Sequence, residues 1–160
     1  MSCSSLKKNL MKRNENLIPL SRDHHFGLLC SWKIREGIKK NISYERIKRY
    51  INYFWEHHLS THFDLEDHIL PKTNDAILSK KMEQEHKEIQ KLISSINHSD
   101  DVKLLESFAL TLQNHIRFEE RVCFPNYENQ LSEEELFQIG EALKDQHIVL
   151  EDAYDDEFWK

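Results

Sequence analysis

The chain of 160 residues contains ten histidines, and His62 and His115 each stand one helical turn before a glutamate. His62 precedes Glu66 by four residues in the segment HFDLE, and His115 precedes Glu119 by four residues in HIRFE. Side chains four residues apart lie on one face of an α-helix, so each pair could bind one metal ion. Taken alone, each pair would more often be a solvated helical pair that contributes about a few tenths of a kcal/mol.

Two of the predicted helices, the second from 44 to Pro71 and the fourth from 101 to Pro125, have apolar residues that place both pairs on faces that point inward. In the fourth helix one stripe holds Leu104, Phe108, Leu112, His115, Glu119 and Val122. In the second helix one side holds Ile47, Ile51, Phe54 or Trp55, His58, His62, Glu66 and Ile69. A charged carboxylate on an inward face is costly unless it binds a cation or another partner. The spacing therefore predicts that Glu66 and Glu119 have such a partner.

Two further helices are each predicted to bring one histidine to the same interior. His86 stands on the apolar stripe of the third helix, one turn after Met82. On the first helix, either His24 or its neighbour His25 takes the first-turn position that faces Leu28. Any one of these histidines alone is more often a core residue satisfied by a hydrogen bond. Their joint placement on successive helices favours a metal site.

The candidate ligands are imidazoles and carboxylates: His24, His62, Glu66, His86, His115 and Glu119. Imidazole and carboxylate together suit iron, manganese or zinc. Two carboxylates that bridge can hold two ions close together in the core of a helical bundle. Iron is the favoured metal, although the residue types do not exclude manganese or zinc.

The order H…HxxxE…H…HxxxE on successive helices resembles that of the hemerythrin-like, cation-binding family. The resemblance covers about residues 21–128, with local matches in SRDHH, HFDLE, EQEH and HIRFEERVCFP. It implies a four-helix bundle that holds two non-haem iron ions bridged by carboxylates. By this resemblance Glu66 and Glu119 would bridge the ions, and the terminal ligands would be His24, His62, His86 and His115.

Two positions depart from the pattern of the oxygen-carrying members. Those members have a further histidine one turn before the third-helix ligand, where this chain has Met82, and a thioether does not replace imidazole on hard iron. One iron would then keep an open or water-filled position, which suits redox chemistry or sensing better than reversible oxygen carriage. The carriers also use a longer spacing to an aspartate on the fourth helix, whereas this chain has HxxxE, as many bacterial relatives do.

The remaining histidines are weaker candidates. His58 lies one turn before His62 and is either a hydrogen-bonding neighbour of the ligands or a seventh ligand. His147 falls on the predicted fifth helix, where packing is its expected role. The histidines expected at the surface are His57, His68 and His98.

Five helices are predicted to position these residues. Capping residues and prolines bound them at about 21–40, from 44 to Pro71, 75–96, from 101 to Pro125, and 132–154. Short links predict an all-α, up-down-up-down four-helix bundle with an additional C-terminal helix. Only three glycines and three prolines are present, which disfavours the tight turns that strands need. The aromatic residues expected in the core are Trp32, Phe54, Trp55, Phe108 and Phe118.

Size and composition predict a single soluble domain over residues 19–155, after a flexible basic tail over residues 1–18. The three cysteines lack a CxxC spacing, so they predict neither a disulfide framework nor a thiolate zinc site, and a reducing cytoplasm fits best. Cys30 and Cys123 are expected as buried, apolar residues. A formal net charge of -6 argues against nucleic-acid binding, and no apolar stretch suggests a signal peptide or a membrane span.

Together these patterns and the family resemblance imply a cytoplasmic di-iron protein that binds or reacts with a small ligand such as O2, NO or peroxide, in a sensing, redox or stress role. One alternative is a protein that binds or stores iron or another metal without turnover. Another is a metal-free helical module that binds a partner, which the acidic C-terminal segment with Phe158 and Trp159 suggests. The sequence leaves open the natural ligand, the redox partner and the oligomeric state.

Overall fold

The computed structural model describes residues 12–72, 75–149 and 151–160, and all regular structure in these ranges is helical. A short 3-10 turn, Glu15–Leu17, leads into helix α1, Ile18–Lys39. Helix α2 runs from 44 to 69 and consists of an α-helical part, Tyr44–Phe54, a π-helical turn, Trp55–Leu59, and a second α-helical part, Ser60–Ile69. None of the helices described is long and apolar enough to cross a membrane.

Helix α4 is interrupted in the same way as α2, whereas α3 and α5 are uninterrupted. Helix α3 is Ala76–Asn97. Helix α4 runs from 102 to 130 as Val102–Phe118, a π-helical turn, Glu119–Cys123, and Phe124–Gln130. Helix α5 is Glu133–Gln146.

Side-chain caps define where four of these helices begin. Ser43 and Asp75 accept hydrogen bonds from backbone N–H groups in the first turns of α2 and α3, and Asp101 does the same for α4. Ser132 and Glu135 form the predicted capping box at the start of α5. The short polar side chain satisfies backbone donors that the first helical turn leaves without partners. The predicted starts of these helices are therefore confirmed.

The helices pack into a bundle in which α4 lies against both α1 and α3. One apolar cluster fills the part of the bundle around Ile34, Tyr50 and Phe108, and a second cluster lies around Leu20, Phe124 and Leu136. The predicted all-helical bundle is confirmed, while the up-down-up-down order stays a prediction. Cys30 and Cys123 are buried and unpaired, as expected.

The π-helical turn in α4 changes two features that the sequence predicted from α-helical spacing. Pro125 does not end the helix, because the turn has already interrupted the regular ladder that a proline would break. The extra residue in the turn also rotates the following residues. Val122, predicted on the inward stripe, is 41% exposed, and Cys123 is buried in its place.

The C-terminal part of the chain differs from its predicted helix. Helix α5 ends at Gln146 rather than near Tyr154, and residues 151–160 fold back onto the bundle as an irregular segment. Asp152 accepts a hydrogen bond of 2.5 Å from the buried Lys33, and the Lys33 ammonium lies 4.0 Å from the centre of the Trp159 ring. Phe158 and Trp159 are both buried in the first apolar cluster. The aromatic end of the chain therefore packs on its own domain.

The predicted basic tail is too long, because residues 12–18 belong to the folded domain. Leu17 is fully buried, and Arg13 forms ion pairs with Glu120 and Glu128 on α4. Residues 1–11 of the predicted tail, which include the basic residues Lys7 and Lys8, lie outside the described residues. A further correction concerns Trp32, which was expected in the core but is 44% exposed on α1.

Candidate metal centre

The structure brings the six candidate ligands together between α1, α2, α3 and α4. They form two groups whose potential ligand atoms all lie within 4.8 Å of one another inside each group. The first group contains His24, His62, Glu66 and Glu119, and the second contains Glu66, His86, His115 and Glu119. Glu66 and Glu119 belong to both groups. This arrangement offers two adjacent sites that share two carboxylates.

The shared carboxylates are deeply buried among four histidine rings, which are charged only when they are protonated. Glu119 is 0% exposed and Glu66 is 2% exposed. All four of their carboxylate oxygens are buried without a hydrogen bond from any described residue, and so are the Nε2 atoms of His86 and His115. An unpaired buried charge costs several kcal/mol, roughly, and a cation between these atoms would remove that cost.

Each of the four histidines has its Nδ1 atom against a carboxylate outside the two groups. His24 Nδ1 lies 2.7 Å from Glu120, and His62 Nδ1 lies 2.8 Å from Asp23. His86 Nδ1 lies 3.1 Å from Asp67, and His115 Nδ1 lies 3.1 Å from Glu85. A carboxylate at Nδ1 keeps the proton on that nitrogen. Each ring can then offer the lone pair of Nε2 to a metal ion.

The Nε2 atoms of the four rings converge on Glu66 and Glu119. His62 Nε2 and His86 Nε2 lie 3.1 and 3.3 Å from Oε1 of Glu66, and His115 Nε2 lies 2.6 Å from Oε1 of Glu119. His24 Nε2 lies 3.4 Å from the same Glu119 oxygen and 3.2 Å from Nε2 of His62. Two lone pairs at this separation repel each other unless a proton or a metal ion lies between them.

The carboxylates also change the protonation of the rings. Burial by itself lowers the pKa of a histidine, but the charge of Glu119 raises the pKa of His115 to about 10, and the hydrogen bond to Asp67 helps raise the pKa of His86 to about 9. The pKa of His62 and that of His24 are raised for the same reason, against the effect of burial. Burial would raise the pKa of Glu119, but the charge of His115 lowers it well below its ordinary value. Without a metal ion, protons on the histidines therefore compensate the negative charge of the two buried glutamates.

Of the two neighbouring histidines on α1, His24 lies in the cluster, and His25 is exposed. His58 is buried but belongs to neither group of potential ligands. It lines a small cavity next to the first group, which we call the His58 cavity; its other lining residues are Asp23, His24, Gly27, Phe54, Leu59, His62, Phe63, Leu112, His115, Ile116 and Glu119. Burial lowers the pKa of His58, so its ring is neutral at pH 7.

A wider pocket lies on the other side of the cluster, next to the second group. We call it the Met82 pocket, because it is lined by Met82, the residue that stands where oxygen-carrying members of the family have a further histidine. Glu66, His86 and Tyr127 also line it. The Tyr127 hydroxyl donates to Met82 Sδ at 3.7 Å. The exposed rim of this pocket includes the lysines Lys72, Lys80 and Lys87.

The carboxylates that contact Nδ1 are the part of the site that the sequence did not predict. Asp23, Asp67, Glu85 and Glu120 each stand next to a candidate ligand in the sequence. This adjacency in sequence was the feature that could have identified them. It was not enough for a prediction, because a residue next to a ligand points away from the ligand face of its own helix. All four reach a histidine on another helix.

We call the four carboxylates that contact Nδ1 atoms the outer carboxylates. Two of them are contacted by residues from the N-terminal and C-terminal parts of the described chain. Arg13 donates to Glu120 at 3.1 Å, and Glu120 contacts His24. His147, expected to serve packing within α5, instead lies just beyond that helix, and its Nε2 atom is 2.9 Å from Asp23 Oδ1. Asp23 in turn contacts His62. The two histidines of the first group are thus supported by both chain ends.

Comparison with known proteins agrees with this arrangement. The model of the hemerythrin HHE cation-binding domain matches residues 23–127, which is more than half of the chain and includes all six candidate ligands. No curated protein and no solved structure gives a significant match. The sequence match and the clustered histidines and glutamates agree on a cation-binding helical bundle. The chain therefore belongs to the hemerythrin HHE cation-binding domain family.

Proposed function

We propose that this chain is a hemerythrin-like, non-haem di-iron protein that binds or reacts with a small ligand such as O2, NO or peroxide, in a sensing, redox or stress role. His24 and His62 would hold one iron, His86 and His115 would hold the other, and the two shared glutamates would bridge them. The observation that carries this proposal is the pair of four-residue groups that share Glu66 and Glu119.

The donor set fits iron in number, type and protonation. Each group offers two imidazole nitrogens and two carboxylate oxygens, a mixture that suits iron(II) and iron(III). The carboxylates at Nδ1 leave each Nε2 free to bind, and the unpaired oxygens of Glu66 and Glu119 provide the negative charge that a cation needs. Iron, once bound, would supply redox chemistry and the capacity to bind a small ligand.

The protein's own contribution is to fix these donors and to exclude water. The outer carboxylates orient the imidazoles, and removal of such partners typically lowers metal affinity about 10- to 100-fold. Apolar side chains close the centre on the side of the His58 cavity, where Phe63 stacks on His86 with ring centres 3.9 Å apart. A ligand that reaches the centre from this side would have to be small.

Metal analysis with absorption spectroscopy tests the proposal. Protein purified without chelators is expected to contain two iron ions per chain and to absorb in the visible region after oxidation. Addition of O2 or peroxide to the reduced protein, or of NO under anaerobic conditions, is expected to change that spectrum.

Other outcomes would favour the alternatives. A colourless protein that contains zinc, or iron-loaded protein with a spectrum unchanged by all three ligands, would favour metal binding or storage without turnover. A protein that folds without metal and fails to take up iron would favour the metal-free module. The aromatic residues that suggested this module, Phe158 and Trp159, are buried against the bundle in the structure.

A further inference from the structure

His58 is a buried polar residue that the proposed metal ligands do not account for. It stands in the π-helical turn of α2, one turn before His62, and is 3% exposed. Its Nδ1 atom is buried and makes no hydrogen bond in the part of the chain that the structure describes. A buried polar atom without a partner lowers stability, so an apolar residue here would give a more stable protein.

The His58 cavity connects this histidine with the metal centre. The cavity is lined by His58, by His24 and His62 of the first group, by His115 of the second group and by the shared Glu119, and all of its lining residues are buried. Most of the other lining residues are apolar. Asp23 is polar, but its carboxylate already contacts His62 and His147. His58 is therefore the polar side chain of this lining that is outside the ligand groups and still has an unpaired atom.

Aromatic rings hold the His58 side chain in place. The ring stacks on Phe54 with centres 5.1 Å apart and on Phe26 with centres 6.2 Å apart. The Tyr53 ring meets it edge to face at 5.7 Å. A side chain held in this way forms a hydrogen bond with little further loss of conformational entropy.

We propose that His58 donates a hydrogen bond to the small ligand in the cavity and thereby favours ligands whose outer atom is an oxygen or nitrogen that accepts one. In the Nδ1–H tautomer of the neutral imidazole, the unpaired Nδ1 atom carries the proton and can donate it in a hydrogen bond. The remaining apolar lining offers no competing partner. This inference rests on the proposed function, since it assumes that the ligand binds at an iron of the first group.

The test compares wild-type protein with His58→Leu, His58→Gln and the control His57→Leu, which changes the exposed neighbouring histidine. NO is the probe, because a diatomic ligand suits a small cavity. Each protein is loaded with iron(II) and titrated with NO anaerobically, and the N–O stretching frequency is measured by infrared spectroscopy. Iron content is measured in every variant, and thermal stability is measured after iron has been removed.

We expect equal iron content in all four proteins. His58→Leu should bind NO about ten-fold more weakly, the equivalent of one lost hydrogen bond, and should show a higher N–O stretching frequency. His58→Gln should partly restore both values, because its amide can donate, and His57→Leu should match the wild type. Iron-free His58→Leu should be at least as stable as the wild type, since the substitution removes an unpaired buried polar atom.

Equal NO affinity and equal stretching frequency in wild type and His58→Leu would overturn the inference. Loss of iron from both His58 variants would also overturn it, because His58 would then support the metal centre itself. A wild-type protein that takes up no iron would instead refute the proposed function, and the role of His58 with it. Iron-loaded wild type that binds no NO would overturn this inference but not the proposed function, which O2 and peroxide test separately.

Discussion

The two halves of the metal centre have matching donors but different surroundings. The first group, with His24 and His62, faces the His58 cavity, whose lining is entirely buried. The second group, with His86 and His115, lies beside the Met82 pocket, which has an exposed, lysine-bearing rim. The same ligand chemistry is therefore combined with restricted access on one side and with an opening to the surface on the other.

The outer carboxylates differ in the same direction. Asp23 and Glu120, which serve the first group, are themselves bound by His147 and Arg13 from the two ends of the described chain. Of the two that serve the second group, Asp67 has a side chain that is 53% exposed and Glu85 has one that is 17% exposed. The carboxylates that orient the histidines of the first group are thus held by further side chains. If the proposed function holds, we expect the first half to select the small ligand and the second half to let a metal ion enter and leave.

The largest effect is expected where the two halves join. Glu119→Gln keeps the size of the side chain but removes a charge that both groups share, so we expect loss of both iron ions. The thermal stabilisation that added iron gives to the wild type should disappear as well, because a ligand that binds only the folded state at about 100 times its Kd adds about 2.7 kcal/mol. Iron analysis and thermal unfolding check this prediction.

Glu106→Gln, on an exposed part of the same helix, is the matched control and should behave like the wild type. Retention of two iron ions in Glu119→Gln would mean that this carboxylate does not hold the ions.

The next test separates the two halves. His24→Gln removes a ligand of the first group only, and His86→Gln removes a ligand of the second group only. Each variant is expected to keep about one iron per chain, because the other group remains complete. His25→Gln, on the exposed neighbour of His24, should keep both. If either single variant lost both ions, the two halves would not be independent in the way that the comparison requires.

A smaller effect is expected from loss of the contact between His147 and Asp23. His147→Gln removes an imidazole that contacts Asp23, and Asp23 orients His62. We expect about a ten-fold loss of iron affinity, at the lower end of the range for residues that support metal ligands, with the fold unchanged. Competition with a coloured chelator measures this affinity.

His98→Gln, on an exposed histidine that contacts the Ser94 carbonyl oxygen of its own helix, is the control. Equal affinities for His147→Gln and the wild type would show that the contact with Asp23 does not extend to the metal.

The smallest effect is expected at the opening of the second half. Met82→His places an imidazole one turn before His86, so it should slow the removal of iron by a chelator by a few-fold. Met82→Leu is the matched control, because it removes the thioether without adding a ligand, and its release rate should stay close to that of the wild type. The rate is followed by the absorbance of the iron–chelator complex. An unchanged rate in Met82→His would place the exit elsewhere.

The ligand faces of the helices could be predicted from the sequence because their physical basis is local. Four-residue spacing puts His62 with Glu66 and His115 with Glu119 whatever the rest of the chain does. Capping residues such as Ser43 and Asp75 likewise act within one turn, which is why they located the starts of α2 and α3. The resemblance to the family then added the roles of the six residues.

Features that depend on distant contacts or on irregular helix geometry were not predictable in this way. Val122 is exposed because the π-helical turn changes the direction in which the residues after Glu119 point. The residue types in this turn do not predict it. His147 meets Asp23, 124 residues away in the chain, only because the segment after α5 returns to the bundle. Phe158 and Trp159 are buried against the bundle by the same return of the chain.

Crystallography of the iron-loaded protein, with data collected at the iron absorption edge, tests the central claim most directly. The account predicts two anomalous peaks, one between His24 and His62 and one between His86 and His115, with Glu66 and Glu119 in contact with both. A single peak, or peaks away from these two glutamates, would contradict it.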